Sequence, residues 1–301
     1  MEKVGIIGLG VLGSAIAPLL VASGFRVTGY DVEPAKLKAM AERGIEPANS
    51  PQTVADAGET VITCLPTPES LMRVVAGPRG LDAGSREGQI VIETSTFDIA
   101  DKERARDHLA AAGKVMLDCP VSGNRIMAME RKLTAFASGD RAAFEAVEQV
   151  ISGFVGRTHY VGPFGHGMKM KMCGNILNLV HNAVAAEVMV LGMKAGLDPQ
   201  LIHQVISGSG SSSRMFEVRG ALMARNDYDH EGMNFSIPLK DSRIISAHAA
   251  NLAVPTPIYQ AALQSYYAAV AQGHHDEDQS AVCAAMERAA NCQRGKPVRE
   301  N

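Results

Sequence analysis

The chain has 301 residues, a length that allows two domains, each large enough for its own hydrophobic core. Its 29 Lys and Arg against 32 Asp and Glu give a formal net charge of −3, so no basic field favours a nucleic-acid partner. The 5 cysteines are dispersed, and no charged leader or unbroken apolar stretch of about 18 residues stands out, which favours a cytoplasmic protein without a membrane anchor.

Short apolar runs rich in β-formers alternate with helical stretches from the start of the chain to about residue 160. The runs begin at Val4, Arg26, Thr60, Gln89 and Lys114. This alternation is typical of βαβ units, in which crossover helices join parallel strands. The sequence therefore predicts an α/β domain with a doubly wound parallel sheet over residues 1–163.

The second half of the chain has a different pattern. After Gly167, long segments rich in Ala, Leu, Val and Met are separated by the turn signals at Gly196, Gly208–Ser213 and Val254–Pro257. We predict an all-α domain over residues 164–293, which begins with a long helix that ends near Lys194. Residues 294–301 are predicted to form a charged tail.

A glycine-rich loop follows the first predicted strand directly. It reads Gly8-Leu9-Gly10-Val11-Leu12-Gly13 and opens an Ala-rich helix. In this context Gly8 permits the tight turn, Gly10 lets the backbone approach a pyrophosphate, and Gly13 lets helix and strand pack closely. This pattern predicts a Rossmann dinucleotide site; the alternative is a glycine turn that binds no ligand.

The end of the second predicted strand carries an acidic residue. Asp31 is placed to accept hydrogen bonds from the adenosine ribose hydroxyls, although a carboxylate here would also serve as a strand-end cap. Asp31 and nearby Glu33 would repel a 2′-phosphate, so NAD is favoured over NADP. The positive charge of Lys36 would instead favour a 2′-phosphate and so opposes that preference.

Several motifs, taken together, resemble those of the β-hydroxyacid dehydrogenase family. They are Gly8–Gly13, Cys64-Leu65-Pro66, Asp118–Gly123, Gly165–Lys171 with Asn175, and Lys240-Asp241. The resemblance implies a Rossmann domain, a C-terminal all-α domain and a substrate site between them, with homodimers or homotetramers. It also implies an NAD-dependent conversion between a small 3-hydroxy acid and its semialdehyde, of the 3-hydroxyisobutyrate or tartronate semialdehyde type, without a metal.

The same resemblance implies roles for individual residues. Lys171 would be the catalytic residue, with Asn175 orienting the substrate. The substrate carboxylate would be bound by Ser122 and Gly123, and the neighbouring Asn124 is a further candidate. The cofactor would be contacted by Leu65, Pro66, Thr96 and Lys240.

The residues around Lys171 support a proton-transfer role. A lysine one turn inside a helix feels the positive helix end, which disfavours the ammonium and lowers its pKa. A lysine tuned in this way can exchange a proton with a substrate hydroxyl. The alternative is a solvated surface lysine. Asn175, Asn178 and Asn182 share its helix face, and this polar stripe predicts the lining of a cleft.

Other polar groups leave alternatives open. Asn124, Arg125, Met127, Arg131 and Lys132 stand where the family commonly has small residues, so Arg125 is either a partner for a second anionic group or a solvated residue. In the loop before Arg214, Ser211 and Ser212 are second-rank candidates, against a plain interhelical turn. The run 274–278 is interpreted as a solvated loop rather than a metal site. Two other functions are kept open: an imine reductase and a non-catalytic nucleotide-binding module.

Overall fold

The computed structural model describes residues 2–229 and 233–294. These residues divide into two compact units, the first ending at Lys171 and the second beginning at Met172. Apart from Arg294, the predicted tail 294–301 lies outside the described residues.

The first unit is built on a parallel sheet of 6 strands in the order β3-β2-β1-β4-β5-β6. The strands are β1 (Lys3–Ile7), β2 (Arg26–Tyr30), β3 (Glu46–Pro47), β4 (Thr60–Thr63), β5 (Ile90–Glu93) and β6 (Val115–Asp118). Each neighbouring pair is parallel. The prediction of an N-terminal doubly wound Rossmann sheet is confirmed.

Helices cover both faces of this sheet because successive strand residues point to opposite sides. They are α1 (Gly13–Ala22), α2 (Pro34–Ala41), α3 (Pro51–Ala57), α4 (Pro68–Ala76), α5 (Ile99–Ala111), α6 (Arg125–Met129) and α7 (Arg141–Ser152). Ile6 belongs to a core cluster with α1 and α7, whereas the next residue, Ile7, belongs to a cluster with α3, α4 and α5. The carboxyl ends of β1, β4 and β5 are therefore held side by side between two packed layers.

A second sheet of 3 strands follows, in the order β7-β8-β9, and the sequence analysis missed it. Its strands are β7 (Val121–Ser122), β8 (Thr134–Ala137) and β9 (Arg157–Tyr160). β7 pairs antiparallel with β8, and β8 pairs parallel with β9. This sheet fixes the backbone on either side of Ser122.

The second unit is helical throughout its described part, which confirms the predicted all-α region. Its helices are α8 (His166–Lys194), which begins in the first unit, α9 (Pro199–Ile206), α10 (Arg214–Arg225), α11 (Ser236–Asn251), α12 (Pro257–Ala271) and α13 (Val282–Ala289). Large buried rings, including Phe235, Tyr259 and Tyr266, fill its core.

Among the helices of the described residues, only α8 is long and apolar enough to cross a membrane, as judged by length and composition. The core helix of a globular protein meets the same criterion, and part of α8 is buried inside the protein. Two of its buried residues, Lys171 and Asn182, are polar and make hydrogen bonds within the protein. The length of α8 is therefore weak evidence for a membrane span.

Candidate active site

The three glycines of the nucleotide loop differ in what surrounds them, and therefore in why a larger residue would not fit. Gly8 has φ +91°, and a Cβ on it would lie 2.2 Å from the Cys64 carbonyl oxygen. A Cβ on Gly13 would lie 1.9 Å from the Gly8 carbonyl oxygen. A Cβ on Gly10, by contrast, would meet no atom of the described chain within 4 Å. Gly8 and Gly13 are thus required by the fold itself. Gly10 faces open space, in which the pyrophosphate of a dinucleotide can approach the protein backbone.

The start of α1 is suited to an anion. No side chain in the described part of the protein caps it, and no acidic residue lies in its first turn. Elsewhere in this unit, the helices α3 to α7 all begin with a Ser, Thr, Asp or Asn side chain that accepts a backbone hydrogen bond. The exposed N–H groups and positive dipole of α1 therefore fit a dinucleotide pyrophosphate above Leu9–Gly13.

Asp31 lies at the end of β2 and contacts the loop directly. Its Oδ2 accepts a hydrogen bond from the Leu9 amide at 2.7 Å, and its Oδ1 accepts one from the Glu33 amide at 2.9 Å. The side chain is 9% exposed, so these charge-assisted bonds hold the carboxylate in one orientation. Each oxygen keeps a second lone pair that a ribose hydroxyl can use.

The residues after Asp31 define the charge around the predicted ribose site. Val32 is 71% exposed. The Glu33 carboxylate lies 2.6 Å from the Lys36 ammonium. This hydrogen bond raises the pKa of Lys36 above its usual value. The positive charge of Lys36 is therefore balanced by Glu33.

Leu65 and Pro66 follow the end of β4, which lies next to β1 and its glycine loop, and Thr96 follows the end of β5, one strand further along the sheet. The Leu65 amide donates a hydrogen bond to Ser95 Oγ at 2.8 Å, and the Ser95 amide donates one to Glu93 Oε1 at 2.9 Å. This carboxyl edge is where open parallel sheets bind their ligands. Sequence reasoning singled out neither Ser95 nor Glu93.

The predicted carboxylate pocket lies where β7 ends. Gly123 has φ +134°, and a Cβ there would lie 2.5 Å from Leu133 Cδ2, so only glycine fits. Asn124 Oδ1 accepts a hydrogen bond from the Met127 amide at 2.9 Å and caps α6. Ser122 is half-buried at the end of the strand. Asn124 has a structural task, which leaves Ser122 and the Gly123 backbone as the stronger candidates for substrate contact.

Lys171 lies close to this pocket within the same unit. It is 9% exposed, and its Nζ donates a hydrogen bond to the Val121 carbonyl oxygen at 2.8 Å. The amine is thus fixed to the residue directly before Ser122. Burial of this kind is unusual for an ordinary surface lysine.

The second unit contains two further predicted residues. Asn175 lies on α8, one turn after Lys171, and its Nδ2 donates a hydrogen bond to Asp241 Oδ2 at 2.8 Å. Lys240 Nζ lies 3.4 Å from Asp241 Oδ1. Asp241 is 6% exposed and orients the Asn175 amide. The Lys240-Asp241 pair was visible in the sequence, but the role of Asp241 was not assigned there.

The predicted polar stripe on α8 is wrong at Asn182. This side chain is fully buried, and its Nδ2 donates to Tyr266 Oη at 2.8 Å and to the Gln279 carbonyl oxygen at 3.0 Å. It therefore joins three elements in the core of the second unit instead of lining a cleft. A polar residue with buried partners far along the chain looks the same in sequence as one that faces a ligand.

Several of the basic residues left open by the sequence have partners in the protein. The Arg131 guanidinium donates to the Leu19 carbonyl oxygen and to Ser23 Oγ near the end of α1. Lys132 pairs with Glu130 at 2.7 Å. Arg214 lies 3.3 Å from Glu217 on its own helix. Arg131 thus joins α6 to the end of α1, whereas the pairs of Lys132 and Arg214 lie on the surface and contribute little to stability.

The loop before Arg214 borders a cavity of about 240 Å³ within the second unit. Its lining includes Ser211, Ser212 and Phe216. In the run 274–278, His274 pairs with Glu277 at 2.9 Å and His275 with Asp276 at 2.7 Å. Residues 2–229 and 233–294 contain no group of three or more His, Cys, Asp or Glu side chains arranged to hold a metal.

The parallel sheet, the glycine loop and Asp31 together define a dinucleotide-binding domain. Residues 3–162 match the family described as the NAD binding domain of 6-phosphogluconate dehydrogenase, and residues 165–286 match the NAD-binding region of NADP-dependent 3-hydroxyisobutyrate dehydrogenase. The chain belongs to the β-hydroxyacid dehydrogenase family. It is an NAD(P)-dependent dehydrogenase that acts on the CH–OH group of hydroxy acids.

Individual relatives support this assignment. L-threonate dehydrogenase from Cupriavidus necator is 33% identical over 282 residues, which cover 93% of this chain and 95% of that protein. The structure of 3-hydroxyisobutyrate dehydrogenase from Mycobacterium tuberculosis with L-serine has a TM-score of 0.86 at 27% identity, covering 95% of this chain and 99% of the other. An imine reductase from Streptomyces aurantiacus has a TM-score of 0.62 at 20% identity, covering 95% and 99%, and shares the fold alone.

Proposed function

We propose that the protein interconverts a small 3-hydroxy acid and its semialdehyde with NAD, and that Lys171 transfers the proton. The observation that carries this proposal is the position of the Lys171 amine. Lys171 is only 9% exposed, and its Nζ donates a hydrogen bond of 2.8 Å to the carbonyl oxygen of Val121, the residue before Ser122. A buried amine beside a carboxylate pocket is suited to meet the hydroxyl of a short hydroxy acid.

The bound cofactor would supply the hydride chemistry, by accepting a hydride from the carbon that bears the hydroxyl. As that hydride leaves, the neutral Lys171 amine takes the hydroxyl proton and becomes an ammonium, so the carbonyl forms without a free alkoxide. In the reverse direction the ammonium returns the proton. Both protonation states of Lys171 can donate to the Val121 carbonyl, so this contact holds the nitrogen in place throughout the cycle.

The relatives and the pocket together support this proposed substrate class. L-threonate and L-serine, the compounds named with two of them, each combine a carboxylate with a hydroxyl on a short chain. We propose that Ser122 and the backbone at Gly123 bind the carboxylate of such a substrate. We infer that Asn175, oriented by Asp241, hydrogen-bonds the reacting oxygen.

We propose NAD as the preferred cofactor. A 2′-phosphate at the adenosine ribose would approach the carboxylates of Asp31 and Glu33. The charge of Lys36 is already balanced by Glu33 at 2.6 Å, and the residue between the two acids is the uncharged Val32. The net charge near this ribose site is therefore negative, which disfavours NADP.

The test follows NADH absorbance while the protein is given NAD or NADP with 3-hydroxyisobutyrate, L-threonate and L-serine. Lys171→Met keeps the buried aliphatic stem and removes the amine, so kcat should fall at least about 100-fold while the affinity for NAD changes little. Lys194→Met, at the far end of the same helix, is the matched control and should retain activity.

Each other outcome has a defined meaning. Activity of Lys171→Met near that of the unaltered protein would contradict the proton-transfer role. Turnover of a cyclic imine with no turnover of any hydroxy acid would favour an imine reductase. Cofactor binding without turnover of either substrate class would favour a non-catalytic nucleotide-binding module.

We further propose that the protein is a cytoplasmic homodimer or homotetramer. Apolar side chains on α8 stay exposed at seven-residue spacing: Leu177 is 56%, Val184 46% and Leu191 73% exposed. A stripe with this spacing is suited to pack against a second copy of the same helix. Sedimentation equilibrium should give two or four times the 31.9 kDa mass of one chain, and a monomer would contradict the assembly.

A further inference from the structure

Three charged side chains form a fully buried cluster in the first unit. The Lys102 ammonium on α5 lies 2.6 Å from Glu93 Oε2 at the end of β5 and 2.7 Å from Asp118 Oδ1 at the end of β6. All three side chains are 0% exposed. Nothing in the proposed reaction uses these charges directly.

The cluster has two carboxylates for one ammonium. Burial raises the pKa of Glu93, although the charge of Lys102 opposes this. Burial alone would lower the pKa of Lys102, but Asp118 and Glu93 together raise it. With all three groups charged, the cluster carries a net charge of −1. Buried net charge is costly unless a dipole or a donor compensates it.

The start of α8 supplies that compensation. Asp118 Oδ2 accepts a hydrogen bond from the Met168 amide at 2.9 Å, and Ser138 Oγ accepts one from the Gly167 amide at 2.9 Å. The Ser138 hydroxyl in turn donates to Asp118 Oδ2 at 3.1 Å. Two of the unsatisfied N–H groups of the first turn, and the positive end of the helix dipole, are thus directed at the buried cluster.

The same strand segment contacts α8 a second time, one turn further along the helix. Asp118 bonds Met168, and Val121 accepts the hydrogen bond from Lys171 at 2.8 Å. The backbone of Asp118 is itself paired with Ser138, through N–H···O bonds of 3.0 Å and 2.7 Å. The segment that ends in Ser122 is therefore attached to the first turns of α8 at two points.

We propose that Asp118 is a positioning residue whose buried carboxylate fixes the start of α8, and thereby places the Lys171 amine relative to Ser122. The role rests on the proposed proton transfer by Lys171. Asp118 and Ser138 form the anchor, and the Lys102 ammonium, 2.7 Å from Asp118 Oδ1, orients the Asp118 carboxylate from its other oxygen.

The chain offers a matched set of variants for the test. Asp118→Asn and Ser138→Ala weaken the anchor, and Gln89→Leu is the control: this buried side chain donates hydrogen bonds to the Ala55 and Gly58 carbonyl oxygens just before β5, at the amino edge of the sheet, opposite to Asp118. For each variant we measure kcat and KM, the pH profile of kcat, thermal unfolding, and amide hydrogen exchange over residues 165–172.

Asp118→Asn should lower kcat by about 100-fold, with a smaller change in substrate KM, because a misplaced reactive group costs about that much. Its pH profile should shift and exchange at Met168 should speed up. Ser138→Ala should produce the same pattern at about tenfold, since one of the two anchoring acceptors remains. Gln89→Leu should destabilise the protein, because two carbonyl oxygens lose their buried donor, yet leave kcat within about threefold and exchange at Met168 slow.

Equal loss of kcat in Asp118→Asn and Gln89→Leu would show that Asp118 acts through stability alone and would overturn the proposal. If Asp118→Asn fails to fold, Ser138→Ala decides: faster exchange at Gly167 with unchanged kcat also overturns it. Failure of the proposed function looks different, because Lys171→Met would then stay active whatever the exchange data show.

Discussion

Two helices in the first unit begin in opposite ways. At α1 no side chain caps the first turn among the residues described, and a glycine loop leads into it. At α8 the amides of Gly167 and Met168 donate to the buried side chains of Ser138 and Asp118. The first helix end is left open, and the second is satisfied inside the protein.

The contrast separates two uses of one physical property. Every α-helix has free N–H groups and about half a positive charge at its start. At α1 these groups are available to an anion that arrives from solution. At α8 they are taken up by an internal carboxylate, so this helix end holds a side chain in place and cannot serve a ligand. The start of a helix should therefore be proposed as a ligand site only after the protein groups that accept hydrogen bonds from its first N–H groups have been identified.

The largest effect is expected from a change that breaks the satisfied end. A Cβ on Gly167 would lie 2.3 Å from the Phe136 carbonyl oxygen and 2.8 Å from that of Asp118, so Gly167→Ala forces α8 away from the strand segment. We expect a loss of about 3 kcal/mol in the free energy of unfolding and a kcat about 100-fold lower. Denaturant titration and steady-state kinetics measure the two effects.

The control lies on the same helix. Gly174 has no atom of the described chain within 4 Å of its Cβ position, so Gly174→Ala should gain about 0.5–1 kcal/mol from helix propensity. If both alanines stabilise the protein, the close contact at Gly167 is not rigid and the anchor is looser than its distances indicate.

The second prediction concerns the uncapped start of α1, and its expected effect on function is smaller than that of Gly167→Ala. Gly10→Ala should leave the stability unchanged and weaken NAD binding by about tenfold, or about 1.4 kcal/mol, because its Cβ occupies space needed by the pyrophosphate. Gly13→Ala should instead destabilise the protein by about 1–3 kcal/mol, since its Cβ would lie 1.9 Å from the Gly8 carbonyl oxygen.

Calorimetric titration with NAD, alongside thermal unfolding without it, separates the two glycines. Unchanged NAD affinity in Gly10→Ala would mean that the pyrophosphate does not approach this part of the loop. A Gly13→Ala protein as stable as the unaltered one would mean that helix and strand can move apart at no cost.

The order of strands and helices in the first unit could be predicted because apolar runs and glycine turns report local structure. Each of the five predicted runs overlaps a strand of the six-stranded sheet. The strands β3 and β7 have 2 residues each, too few to show any alternation. The strands β8 and β9 have 4 residues, as β4 to β6 do, but their sequences TAFA and RTHY are not unbroken runs of apolar β-formers, so they depend on partners that the local sequence does not reveal.

The candidate site was predictable where a motif is contiguous. The loop Gly8–Gly13 and the segment around Lys171 are of this kind. The Lys102, Glu93 and Asp118 cluster was not predictable: Asp118 begins one of the family motifs, but the three residues lie on α5, β5 and β6, and nothing in the sequence indicates that their side chains meet. The prediction that Asn182 lines a cleft was wrong because the sequence does not reveal that its side chain is buried. Burial decides the role of a polar residue, and burial is set by tertiary contacts.

The smallest effect is expected from adding charge at the open end without changing its shape. Val11 is 63% exposed and lies two residues before the start of α1, so Val11→Asp should fold normally. A carboxylate about 5 Å from a pyrophosphate charge costs roughly 0.8 kcal/mol in water, so NAD should bind about fourfold more weakly at low salt, with the difference shrinking as salt rises. Val11→Asn, of the same shape but uncharged, should bind NAD normally. An equal loss in both variants would assign the effect to lost apolar contact, and α1 would then not present its positive end to the cofactor.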